Sequence, residues 1–107
     1  MSETSNVLRP TVSSIIAALF SSDERTTIAE IMVEECNAER LHSSSPEGLE
    51  RIQLAILKLS NGEVDRFLAA AELARLDWRD VLVAAGFGND LDAHLEWANN
   101  ILGKSAS

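Results

Sequence analysis

Cys36, His42, His94 and the paired glutamates Glu30–Glu34 and Glu35–Glu39 are the residues of this chain with the types needed for nucleophilic or metal chemistry. Structural zinc sites draw about four Cys or His ligands from closely spaced pairs, whereas this sequence has neither a CxxC nor an HxxxH pair. Asp90 and His94 stand four residues apart with Glu96 nearby, which supplies at best part of a site completed by another chain. The ordinary meaning of that spacing is an ion pair or hydrogen bond along one helix face. Dicarboxylate metal bundles project their ligands from inward helix faces, but the apolar stripe of residues 28–36 runs away from these glutamates, so they read as a solvated acidic face. Cys36 falls in line with Ile28, Ile31 and Met32 and lacks the cationic neighbour that would make it a thiolate, so it reads as core filling. Neither a G-x-S-x-G elbow nor a phosphate-binding glycine loop occurs, since Gly86-Phe87-Gly88 follows a helix pattern rather than a strand. No catalytic, cofactor-binding or metal residue is assigned, no cofactor is implied, and the chain reads as a non-enzyme.

The elements around these residues are helical. Residues 1–10 form a polar arm ending in proline, residues 11–103 a single domain, and 104–107 a loose tail. Val12, Ile15, Ile16, Leu19 and Phe20 keep helical spacing, and Ser21 with Glu24 has the S-x-x-E form of a capping box that restarts the chain. Ser45 before Pro46 is the strongest boundary, a hydroxyl cap followed by proline at the first helical position. The third helix carries Leu49, Ile52, Ala55, Ile56 and Leu59, with Leu54 and Leu57 widening the stripe as in a central helix, and Asn61-Gly62 ends it. Val64, Phe67, Leu68 and Ala71 outline a fourth helix. Asp77 and Asp80 cap a short fifth carrying Trp78, Val81, Leu82 and Ala85, and a sixth runs from Asn89 to Gly103. The spacing therefore predicts an all-α compact bundle of five or six short helices.

Composition agrees. Hydrophobic residues make up 46% of 107, aromatics 5%, and tyrosine is absent, so the core is aliphatic and suits helix-on-helix packing. The net charge is −8. Up to residue 45 there are 3 basic and 7 acidic residues, and beyond it 6 and 10, so both parts are acidic. Such a chain repels phosphate backbones and anionic lipids, which disfavours direct nucleic-acid binding and membrane association. The longest wholly apolar run, Ile15–Phe20, is far below the roughly 20 residues needed to span a bilayer. With one cysteine and no secretory pattern at its start, a cytoplasmic location is the expectation.

Function therefore rests on apolar side chains exceeding what one small core can cover. Trp97, His94 and Ile101 lie on a stripe rotated away from Leu91, Leu95, Ala98 and Leu102, so two faces of the last helix compete for one core. Leu54 and Leu57 raise the same question. The five residues Leu54, Leu57, His94, Trp97 and Ile101 are the interface candidates of a small acidic interaction or regulatory module that binds a protein partner or itself. A helix-turn-helix outline around Gly86 offers an alternative as a subunit of a DNA-associated complex, opposed by the acidic start Asn89-Asp90-Leu91-Asp92 where a recognition helix needs neutral or basic groups. A small-ligand or metal protein using Asp90, His94 and Glu96 is the third reading. The segment from Leu49 to Leu59, Asn61-Gly62, and above all Asp77-Trp78-Arg79-Asp80-Val81-Leu82-Val83-Ala84-Ala85-Gly86-Phe87, resembles a group of small uncharacterised bacterial proteins sharing a DWRD-x-LVAAGF-type segment. That resemblance covers residues 49–97 and implies no activity.

Overall fold

Proline suits the first turn of a helix, where the N–H it lacks would have no partner, and Pro10 opens the first helix here. The computed structural model describes residues 8–43, 45–88 and 92–106, with side chains described through Gly103. Five helices follow in order: α1 (Pro10–Leu19), α2 (Ser22–Glu35), α3 (Pro46–Ser60), α4 (Val64–Ala85) and α5 (Ala93–Ala106). The described residues contain no strand.

The corner between α1 and α2 is built differently from the sequence expectation. Ser21 occupies the N-cap position with extended backbone, but its hydroxyl makes no capping bond. The Arg25 Nε–H donates to the Phe20 carbonyl at 3.0 Å, and the Ser21 carbonyl accepts from the Glu24 and Arg25 amides, so the corner closes without the S-x-x-E box. α2 stops at Glu35 because Asn37 intervenes: its Nδ2 donates to the Val33 carbonyl at 3.0 Å and its Oδ1 accepts from the Arg40 amide at 2.9 Å. Asn and Asp side chains compete for backbone groups in this way at helix ends. Leu41, in the turn that follows, is fully buried.

α3 begins as its sequence dictates. The Ser45 Oγ accepts from the Gly48 amide at 2.9 Å, and Pro46 holds the first position. Asn61 ends it in the left-handed region at φ 52°, and Gly62 follows at φ 79°. A Cβ on Gly62 would lie 2.9 Å from the Leu19 carbonyl oxygen, so glycine is needed there for space as well as for conformation. Between these caps Leu54, Ala55, Ile56 and Leu57 are all inaccessible to solvent. Four consecutive buried positions span all sides of a helix, and α3 is accordingly enclosed by α4, α1 and α5, with α4 its most extensive neighbour.

The fourth and fifth helices expected from the sequence are both present as the two arms of α4, joined without a gap and separated at Asp77. Asp77 departs from helical geometry at φ −159° and ψ 94°, and its Oδ1 accepts from the Arg79 amide at 3.1 Å. It therefore caps residues 78–85 while the chain continues from residues 64–76, which makes α4 a helix with a kink. Gly86 closes α4 in the left-handed region at φ 82°, as its sequence position predicts. α5 extends to Ala106 instead of ending at Gly103, since Gly103 keeps a negative φ and glycine inside a helix costs only about 1 kcal/mol relative to alanine. Leu8 also packs against the core, so residues 8–10 belong to the domain rather than to the arm. Residues 1–7 and Ser107 lie outside the described residues. No described helix is long and apolar enough to cross a membrane.

Candidate functional site

The residues with chemical potential are dispersed. Cys36 is fully buried, and burial pushes its thiol up to about 12, partly countered by Arg75. Because the thiolate is the reactive form, the native protein should resist alkylation by iodoacetamide at pH 8 and react once unfolded in urea. Rapid labelling of the folded protein would contradict this assignment. Glu30 and Glu34 are exposed, and Glu35 lies 3.5 Å from the Arg75 guanidinium. Glu39 and His42 have Glu-x-x-His spacing, but both are exposed in the turn after α2 rather than inward on a helix. No three metal-ligating side chains converge among the described residues, and Asp90 of the Asp90, His94, Glu96 set lies outside them.

Phe87 organises the end of the bundle from which α5 departs. It is 1% exposed; its ring lies 6.1 Å from that of His94 and 6.2 Å from that of Trp97, with Lys58 Nζ 5.0 Å from its centroid. Offset and edge-on arrangements at these separations are favourable, and so is a cation over an aromatic face. The Phe87 carbonyl accepts from Arg51 Nη2, tying α3 to the turn after α4. Arg51 Nε is buried without a hydrogen-bond partner, so the guanidinium is held by its Phe87 contact at some desolvation cost. Replacing Arg51 with Met leaves the carbonyl without that donor, and losing this part-buried hydrogen bond costs about 1 kcal/mol. The expected result is a lower urea midpoint with an unchanged slope; an unchanged midpoint would remove Arg51 as a tie.

Phe87 also corrects part of the sequence reading of α5. His94 and Ala98 are buried, Trp97 and Ile101 are half-buried against the core, and Leu95 is 40% exposed. The core assignment holds for Ala98, which is buried, and for Leu102, which packs against the core, but not for Leu95, while His94 and Trp97, assigned to a partner, face Phe87. Leu54 and Leu57 are corrected as well: both are fully enclosed within one chain and cannot meet a partner. Of the five interface candidates, only Trp97 and Ile101 retain partial exposure.

The exposed apolar groups lie elsewhere. On α4, Leu76 is 79% exposed, Val83 70% and Leu68 44%. The spacing of residues 64–71 places Leu68 on the apolar face of the fourth helix and assigns neither Leu76 nor Val83. Around Leu95, a cleft of about 310 Å³ opens between the first turns of α3 and α5, lined by Glu47, Gly48, Glu50, Arg51, His94 and Leu95. Glu50 is buried there, with Arg9 Nε 3.4 Å from its carboxylate. A smaller cleft of about 210 Å³ lies across α3, with Trp78 among its lining residues.

The helix-turn-helix outline keeps its turn at Gly86, but the exposed positions of α5 include Glu96, Asn99 and Asn100, with no basic side chain among the described ones to meet phosphate. No protein family, curated protein or solved structure matches this chain.

Proposed function

We propose that this protein is a non-enzymatic interaction module that assembles with a second copy of itself through the outer face of α4. The observation that carries this reading is the exposure of Leu76 and Val83, 79% and 70%, on the solvent side of the same kinked helix. Single exposed aliphatics are ordinary on protein surfaces, but here the two most exposed large aliphatics among the described residues share one element. Leu68, 44% exposed, lies on the same helix nearer its start.

Charge favours a like partner at this face. Of the net −8, α2 alone carries five acidic residues and one basic, whereas α4 carries Arg66, Arg75 and Arg79 against Asp65, Glu72, Asp77 and Asp80. A basic partner would be drawn to α2; the mixed signs along α4 suit another copy of α4, and two-fold dimers use the same surface on both subunits. A standard interface takes about 800 Å² from each partner, near one-eighth of the 6382 Å² that this chain exposes. Native mass spectrometry at micromolar concentration is the test, with twice the 11.6 kDa chain mass expected. A monomer throughout that range would reject self-association.

A further inference from the structure

We infer that the cleft between α3 and α5 receives one aliphatic side chain from a basic amphipathic segment of another protein. The inference is independent of self-association, because the cleft and the outer face of α4 share no residue. Three observations carry it. First, Leu95 is 40% exposed at the cleft, turned outward because His94 and Trp97 are committed to Phe87. Second, the cleft has a volume near 310 Å³. It sits at the lower bound of small-ligand pockets, about 300 Å³, and so suits an inserted side chain better than an extended cofactor.

Third, the charges around the cleft are unequally committed. Arg9 lies against Glu50, and Arg51 donates to the Phe87 carbonyl. Glu47, which lines the cleft, and Glu96, next to Leu95 on α5, are exposed and lack an ion-pair partner among the described residues. An apolar anchor point with carboxylates on both helices selects an aliphatic side chain flanked by lysine or arginine, and the net charge of −8 steers such a segment inward. An acidic segment would meet repulsion at the same place. Helices that dock by this mode present their anchors at helical spacing, with the charged residues around them.

The test titrates the full chain with a synthetic peptide of leucine and lysine in amphipathic helical spacing, and with a lysine–serine peptide of equal charge, while backbone amide shifts are recorded by NMR. The expected result is saturable binding of the leucine-containing peptide, with the largest shifts at Gly48, Arg51, His94 and Leu95. Leu95→Lys should weaken that binding at least tenfold, as should Glu47→Lys, with unchanged circular dichroism in both. The variant Leu76→Asp/Val83→Asp should bind the peptide as the wild type does, which separates this site from the α4 face. Equal binding of both peptides, shifts centred on α2 or on Leu76, or no saturable binding would each overturn the inference.

Discussion

Phe87→Ala lowers the unfolding free energy by about 3–5 kcal/mol, the range for removing a buried aromatic side chain. For a domain of this size that corresponds to a fall in Tm of roughly 15–30 °C, read by thermal circular dichroism. Three features make the loss at Phe87 large. Its ring is 1% exposed, so truncation leaves a cavity instead of a surface notch. It contacts both His94 and Trp97, so α5 loses its aromatic footing. Lys58 loses the ring beneath it. Because Gly86 and the Arg51 tie to the Phe87 carbonyl are backbone features, the turn itself persists and the loss reports packing. A loss below about 1 kcal/mol, the size of an ordinary surface substitution or less, would mean that α5 is held by something other than this hub.

The second large effect falls on assembly. Under the proposed self-association through α4, Leu76→Asp with Val83→Asp should leave the protein monomeric while keeping Tm within a few degrees of wild type. Burying one aliphatic side chain contributes about 1.5–3 kcal/mol, and each subunit of a two-fold dimer brings both residues, so even half that return weakens Kd more than 100-fold. Folding is spared because these side chains are 79% and 70% exposed in the isolated chain. Leu54→Asp would be uninformative by contrast, since Leu54 is fully buried and a charge there disrupts the core. Sedimentation velocity distinguishes the outcomes: a variant that still sediments as a dimer would move the interface away from α4.

What the sequence made legible is local chemistry. Ser45-Pro46 and Asn61-Gly62 bound α3 where their side chains and backbone preferences place them, because a cap needs only its own neighbours. Gly86 ends α4 for the same reason. Asp77 was legible as a cap, and the kink is the form that cap takes when the helix before it continues without a gap. Ser21 and Glu24 had the letters of a capping box, yet the Arg25 bond to the Phe20 carbonyl closes the corner instead, and no spacing rule weighs that competition.

The orientation of α5 was illegible because it is decided by a partner distant in the bundle. Two stripes, one with Leu95 and one with His94, Trp97 and Ile101, are equally helical in spacing. Phe87 draws His94 and Trp97 inward by ring contacts, Ala98 of the first stripe is buried beside them, and Leu95 is left outside. Leu54 and Leu57 looked surplus to one core because the enclosure of α3 by α1, α4 and α5 is a property of the assembled bundle. The exposure of Leu76 and Val83 carried no sequence signal, because the kink at Asp77 and the packing of α4 on α3 fix which side of the helix faces solvent. Both candidate surfaces therefore emerged from tertiary structure.

The most direct test of the central claim is a concentration series of backbone amide NMR spectra from micromolar to millimolar protein. Self-association through α4 predicts that amides around Leu76 and Val83 move together along one binding curve, while those of α2 stay fixed. Movement centred on α2 or on the α3–α5 cleft, or no movement across the series in a chain that remains monomeric, would contradict it.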